Sequence, residues 1–214
     1  GLGQGTHGRH ERIVLWIRGE YLLVFDGMMC DAGHTVEHVW QLAPVAGWEH
    51  DTAALSWTTR GEAPGFHLRM VLPPPSVEMA VYEGSREPLR GWFAERAPGG
   101  GFAPAPQVVF RHPSDSTFYA TLAMPLAAGR TPPRVRSVPA GRGRGFALEW
   151  PNGVTDVVAL SASLCTPLDQ ESPFETDSPL IWARLGPDGA MRRHLLLDGT
   201  FLRLRGGKTA GAKG

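Results

Sequence analysis

Two histidines and a glutamate form the sharpest local motif in the sequence. His34-Thr-Val-Glu37-His38 fits the H-x-x-E-H pattern of inverted zinc peptidases. That chemistry needs a helix, because residues four positions apart stack on one helix face. The alternation around Val36 and Val39 favours a strand, on which the two histidines lie about 13 Å apart, too far to share one zinc. We therefore expect partly buried strand histidines, and a zinc hydrolase is the third of three functional hypotheses.

Arginines cluster between residues 130 and 144, and Arg134 and Arg136 would share one face of a strand. Guanidinium groups pair bidentately with carboxylate or sulfate groups, so an acidic sugar could bind there. The alternative is a solvated hairpin in a sequence that prefers arginine to lysine.

A Gly- and Pro-rich loop at 91–106 carries Trp92 and Phe93 beside Arg96. Aromatic side chains on loops can stack on sugar rings, but such a loop can also fold over the end of a domain as a plug. The candidate carbohydrate-binding residues are Trp92, Phe93, Arg96, Arg134 and Arg136.

Other catalytic patterns are missing from the sequence. There is no G-x-S-x-G elbow, and the glycine-rich stretch 141–145 lacks the strand–turn–helix context of a phosphate loop. The carboxylates are scattered. We predict no catalytic residue, no metal ligand and no cofactor in this chain.

Composition limits the possible partners. The 214 residues are 42% hydrophobic, enough for a real core, and 21 basic residues balance 21 acidic ones. A whole-surface attraction to nucleic acid or to an anionic membrane is therefore not expected, and no apolar run is long enough to span a bilayer. Cys30 and Cys165 do not make a disulfide framework; free thiols and one disulfide both remain open.

Many short, alternating apolar runs separated by Gly and Pro predict an all-β chain. About ten to twelve strands at this spacing favour an antiparallel β-sandwich over residues 1–205, followed by a disordered Gly/Lys-rich tail at 206–214. In the run 66–72 the alternation places Leu68 and Met70 inside and His67 and Arg69 outside.

The first two strands, within residues 10–28, form an early hairpin with large apolar groups on both faces. Such a hairpin needs neighbouring strands. If upstream strands are missing, one strand of it is an unpaired edge, and we expect self-association through it.

Two ordered sets of motifs resemble a known family. The sequence is similar to the C-terminal β-domain of heparinase II/III-like polysaccharide lyases over roughly residues 7–125, with weaker agreement to Leu204. The first set is His10-Glu-Arg12-Ile-Val, Tyr21-Leu-Leu-Val-Phe-Asp26 and His34-Thr-Val-Glu-His-Val-Trp-Gln-Leu-Ala-Pro44. The second set is Gly91-Trp92-Phe93, Pro104-Ala-Pro106, Val108-Val-Phe110 and Phe118-Tyr-Ala-Thr-Leu-Ala-Met-Pro125.

The resemblance implies a layout in which an N-terminal helical toroid carries most catalytic groups and a β-sandwich closes one side of the cleft. Such enzymes cleave uronate-containing polysaccharides, including glycosaminoglycans, by β-elimination. The toroid is absent from this sequence, and the family's metal-binding H-x-H segment would precede residue 1, so no metal ligand is carried over. Asn152 and the three tyrosines, Tyr21, Tyr82 and Tyr119, are assigned no catalytic role.

The first hypothesis is therefore a β-sandwich module of such a lyase, which supports the cleft and is inactive alone. Its partners would be an acidic polysaccharide and the missing helical domain of the same protein, with a periplasmic or secreted location if it follows the family. The second hypothesis is a stand-alone carbohydrate-binding β-sandwich.

Overall fold

The structure, a computed structural model, describes residues 8–29, 33–61, 64–94, 100–113, 116–127, 129–161, 167–168 and 172–205. These residues form strands and turns and contain no helix, so none could cross a membrane as a helix. The all-β prediction is confirmed. The chain divides into two compact units, residues 1–130 (unit 1) and 131–214 (unit 2). The single domain expected over 1–205 stays a prediction, and the tail 206–214 lies outside the described residues.

Unit 1 is built around a six-stranded antiparallel sheet. Its strand order is β1-β2-β13-β6-β5-β4, so β13 lies near the middle and β1 and β4 form the two edges. The strands are β1 (Arg9–Ile17), β2 (Tyr21–Met29), β4 (Trp48–Asp51), β5 (Ser56–Thr59), β6 (Gly65–Leu72) and β13 (Ser116–Leu126).

A three-stranded antiparallel sheet in the order β3-β12-β7 forms the second layer of unit 1. Side chains of both sheets meet in one core, which includes Trp57, Leu68 and Met70 from the larger sheet and Val108 and Phe110 from the smaller. Unit 1 is thus a sandwich in its own right. The strands of this layer are β3 (Thr35–Gln41), β7 (Glu78–Tyr82) and β12 (Gln107–Pro113).

Two short hairpins complete unit 1, and one of them lies in the segment expected to be a loop. Residues of the predicted loop 91–106 pair as β10 with β11. The described residues contain twenty strands rather than ten to twelve, because many of them are short strands of two to four residues. The hairpin strands are β8 (Ser85–Arg86), β9 (Leu89–Arg90), β10 (Trp92–Ala94) and β11 (Phe102–Pro104).

The first hairpin turns at Gly19, whose φ of 77° is a conformation that favours glycine. This turn fixes the register in which Arg12 lies opposite Asp26 and Val14 opposite Val24. β2 has a second neighbour in β13, whereas β1 pairs with β2 alone among the described residues. β1 is therefore an edge strand.

Strand β6 departs from the expected alternation. His67 is buried, as are Leu68 and Met70 on the opposite face, so the prediction that His67 lies outside is wrong. The reason is that β6 is an interior strand, between β13 and β5, with both faces shielded from solvent. Thr58 on β5 satisfies the Nδ1 atom of His67 at 2.7 Å.

Unit 2 is a five-stranded antiparallel sheet in the order β14-β15-β16-β18-β19, with a separate pair, β17 and β20. The pair packs on one face of the sheet, where Phe174 meets Ala147, Val157 and Ile181. The strands are β14 (Arg134–Ser137), β15 (Arg144–Glu149), β16 (Thr155–Leu160), β17 (Phe174–Thr176), β18 (Leu180–Leu185), β19 (Met191–Leu197) and β20 (Leu202–Leu204).

The exposed edge of β1 leads us to expect concentration-dependent self-association. Val14 and Trp16 are exposed there, and burial of apolar area contributes about 25 cal/mol per Å². Val14→Lys places a charge in the middle of the edge and should shift the population toward monomer in sedimentation velocity across a concentration series. The matched control is Val39→Lys, since Val39 is an exposed valine on β3, the edge of the smaller sheet. A parent chain that stays monomeric at high concentration would contradict the expectation.

Three of the described histidines are buried, and their burial leads us to expect stability that falls in mild acid. Burial lowers the pKa of His38 and of His67 to about 4, below the value of about 6.5 for an unfolded chain. Between these values the unfolded state binds the protons first. The contribution of His38 and of His67 to the free energy of unfolding is therefore complete above pH 6.5. Each contribution falls by roughly 1.4 kcal/mol per pH unit as the pH decreases toward 4.

Urea unfolding at several pH values between 7 and 4.5 measures this loss. His67→Gln removes one of these ionisations and should flatten the dependence by about 1.4 kcal/mol per pH unit. His50→Gln, at an exposed position, is the control and should keep the parent slope. An equal slope in the parent chain and in His67→Gln would show that His67 is not buried in its neutral form.

Candidate functional site

A buried carboxylate lies at the centre of the most polar region of unit 1. Asp26 is the charged residue of the otherwise apolar strand β2, and it is fully buried. The sheet register places it between Arg12 on β1 and Tyr119 on β13. A buried charge is stable only with charged or hydrogen-bonding partners, so the side chains around Asp26 are functionally the most informative of unit 1.

Two β1 side chains hold one oxygen of this carboxylate. The Nε of Arg12 donates to Oδ1 at 2.7 Å, and Nε2 of His10 lies 2.6 Å from the same atom. The side chains of Arg12 and His10 are 48% and 45% exposed, respectively. They therefore join the buried charge to the protein surface.

The second oxygen faces the other layer of the sandwich. Nε2 of His38 on β3 lies 3.7 Å from Oδ2, longer than a hydrogen bond, and Oδ2 accepts no hydrogen bond from the described residues. Burial lowers the pKa of His38 to about 4, against the opposing effect of the Asp26 charge, so the ring is neutral at pH 7. Its Nδ1 lies 3.4 Å from Oγ1 of Thr121.

Tyr119 and His112 complete the inner side of the cluster. The Tyr119 ring lies 5.0 Å from the His38 ring and 5.6 Å from the His112 ring, measured between centroids. Burial and the nearby Asp26 charge raise the pKa of Tyr119, and burial lowers that of His112. Both side chains are buried, so they line the core rather than a surface that a polymer could reach.

The outer side of the cluster continues along β1. His10, Arg12, Val14 and Trp16 alternate along the strand and share the face on which Asp26 lies. We call these four residues the β1 strip. Val14 is 54% exposed and Trp16 is 64% exposed. The strip thus presents nitrogen donors at one end and an apolar, aromatic surface at the other.

The chemistry available to this arrangement is recognition of an anion. The hydrogen bond from Nε to Asp26 holds the Arg12 guanidinium in place. The Nη groups of this half-exposed side chain can then donate to a carboxylate or sulfate. Among the described residues no group of three or more His, Cys, Asp or Glu side chains has an arrangement that could hold a metal ion.

The H-x-x-E-H motif takes the expected strand conformation. His38 lies within β3, and His34 comes just before its first residue, Thr35. Glu37 accepts hydrogen bonds from Arg90 at 2.6 Å and from Arg111 at 2.9 Å. These bonds hold the pKa of Glu37 below its usual value, so the glutamate is a partner of two arginines rather than a base.

The two aromatic candidates of the 91–106 segment differ from each other. Trp92 is half-buried, and its indole N–H donates to the Ser85 carbonyl at 2.8 Å, which anchors one hairpin on the other. Phe93 is exposed and lies opposite Ala103. Arg96 lies outside the described residues. Of the three, Phe93 is the side chain that keeps an open aromatic surface.

The two arginine candidates lie in unit 2, on the edge strand β14. Arg134 is exposed, and Nε of Arg136 donates to Oε1 of Glu149 at 2.7 Å. Arg136 also lines an open cavity of about 300 Å³ whose other walls are apolar, which is a poor match to an acidic sugar. The other lining residues are Val138, Pro139, Val157, Pro173, Phe174, Leu185 and Leu204.

Sequence reasoning assigned no functional role to Asp26, His10, Arg12 or Trp16. A signal for part of the site was present, because a tight turn centred on Gly19 places Arg12 directly opposite Asp26. The sequence held no such signal that His38 would lie near Asp26, since that depends on how the two sheets of unit 1 pack.

No protein-family model and no curated protein matches the sequence. Among solved structures, a mutant of the heparan sulfate lyase HepC from Pedobacter heparinus is similar, with a TM-score of 0.56 and 19% identity over 71% of this chain. A heparinase III is similar with a TM-score of 0.53 and 16% identity over 67% of this chain.

The chain spans less than a quarter of the length of these lyases, 23% of the first and 22% of the second. At such low identity the likeness concerns the fold. The resemblance that the sequence motifs indicated is confirmed at this level: the chain has the fold of a β-domain of the heparinase III type.

Proposed function

We propose that the chain is a β-sandwich module of a polysaccharide lyase-related protein, one that supports a cleft for acidic polysaccharides and is inactive alone. The observation that carries this proposal is the fold match to two heparinase III-type lyases, each about four times longer than the matched part. A module of this kind acts with the remainder of a larger protein, and its partners are that remainder and a uronate-containing polymer.

The side chains of unit 1 support inactivity in isolation. β-Elimination needs a group that neutralises the uronate carboxylate, a base and an acid for the leaving oxygen. Arg12 could neutralise a carboxylate, and His10 is accessible. However, Tyr21 and Tyr119 are buried, so neither can protonate a leaving group in a bound polymer. The half-buried Tyr82 packs against the Arg90 guanidinium, 5.2 Å from its ring centroid.

A stand-alone carbohydrate-binding domain is the second candidate. The exposed Phe93 on β10 favours it, because aromatic rings at the surface offer a flat contact for sugars. This candidate requires binding without any contribution from a further domain.

We expect no lyase activity from the chain by itself. The assay follows the ultraviolet absorbance of unsaturated uronate product with heparin, heparan sulfate, alginate and hyaluronan as substrates. Tyr119→Phe is the matched variant, since it removes only a hydroxyl group. Product that forms with the parent chain would contradict the proposal, and its loss in Tyr119→Phe would show that the chain carries its own acid.

A further inference from the structure

We propose that the β1 strip is a binding site for an acidic oligosaccharide, with Arg12 holding a carboxylate or sulfate and Trp16 stacking on a sugar ring. This inference rests on the proposed function and names the surface of the module that touches the polymer. It differs from the sites expected at residues 92–96 and 134–136.

The anion-binding end is held in place before any ligand arrives. Asp26 is fully buried and accepts a hydrogen bond from Arg12 Nε at 2.7 Å, which fixes the plane of the guanidinium. A guanidinium fixed in this way loses little conformational freedom when its Nη groups meet a carboxylate or sulfate. His10 Nε2 lies 2.6 Å from the same oxygen and so helps to hold the Asp26 carboxylate against which Arg12 is positioned.

The other end of the strip supplies an aromatic surface. Trp16 is 64% exposed, the highest fraction among the aromatic side chains of β1 and β2, and its neighbour on the same face, Val14, is also exposed. A tryptophan presents a large, flat, amphipathic area at low cost in conformational entropy. Such a side chain suits the apolar face of a sugar ring whose hydroxyl groups stay in water.

The distance between the two ends of the β1 strip favours a ligand longer than a single sugar. Arg12 and Trp16 are four residues apart on an extended strand, about 13 Å along the chain. A monosaccharide cannot touch both ends at once, whereas an oligosaccharide can. The strip is therefore suited to a polymer that carries acidic groups at intervals, rather than to a single uronic acid.

The test measures binding of a size-defined heparin hexasaccharide by isothermal titration calorimetry, at a protein concentration where sedimentation shows monomer. We expect Trp16→Ala to weaken binding by roughly fivefold to tenfold, the size of one aromatic contact. Since Trp16 is exposed, this variant leaves the fold intact. Arg12→Gln should weaken binding at least as much, but it also removes a partner of Asp26, so Trp16→Ala is the decisive variant.

Two kinds of control, protein variants at the other candidate sites and a ligand without sugar rings, separate this site from the alternatives. Phe93→Ala and Arg136→Gln remove an aromatic and a guanidinium group from the other candidate sites and should leave the affinity unchanged. Polyglutamate is a polyanion without sugar rings, and Trp16→Ala should not change its binding. A loss of polyglutamate binding equal to the loss of hexasaccharide binding would mean that Trp16 does not stack on sugar.

The outcomes distinguish this inference from the proposed function. If the parent chain binds the hexasaccharide and Trp16→Ala binds it equally well, the strip is not the site, while a role as a polysaccharide-binding module stands. If the parent chain binds no acidic oligosaccharide, both the inference and the polysaccharide contact of the proposed function fail. A hexasaccharide affinity no greater than that of free glucuronate would overturn the argument from length.

Discussion

The fold of unit 1 has to supply partners for a carboxylate in its interior. Asp26 has no access to solvent, and leaving such a charge without its partner costs roughly 3–5 kcal/mol. Its partners, Arg12 and His10, come from across the hairpin, while the neutral His38 of the other sheet lies 3.7 Å from Oδ2 without a hydrogen bond to it. A slip of one residue between β1 and β2 would send Arg12 to the opposite face and remove its bond with Asp26. The pairing of this charge therefore specifies the register of the first hairpin.

Arg12 also links the interior to the surface. One edge of its guanidinium belongs to the Asp26 ion pair, and its side chain is half exposed. Lysine has a single ammonium group and could not serve two acidic partners from a fixed plane. Stability of unit 1 and the chemistry of the β1 strip are consequently coupled through one side chain. In the proposed binding site, Arg12 would therefore serve both the fold and the ligand.

The sequence predicted the local features of this fold better than the packing of its layers. Period-two alternation identified β3 correctly as a strand around His38, and the turn at Gly19 contained the information for the Arg12–Asp26 pairing. The burial of His67 was not predictable from alternation, because alternation cannot show whether a second layer covers the polar face. Likewise, the sequence could not show that the Trp92 indole N–H donates a hydrogen bond to the Ser85 carbonyl, since that bond depends on how two short hairpins meet.

The central position of β13 has a consequence for how the protein opens. It lies between β2 and β6, its residues 120–123 have partner strands on both sides, and it carries the buried Tyr119, Thr121 and Leu122. Within the described part of the chain β1 has one neighbour, and about half of its amides face away from it. In heavy water, deuterium should therefore enter β1 early through local fraying and β13 last, only when the sheet separates. The boundary between fast and slow exchange would lie within the first hairpin, between the strand that carries Arg12 and the strand that carries Asp26.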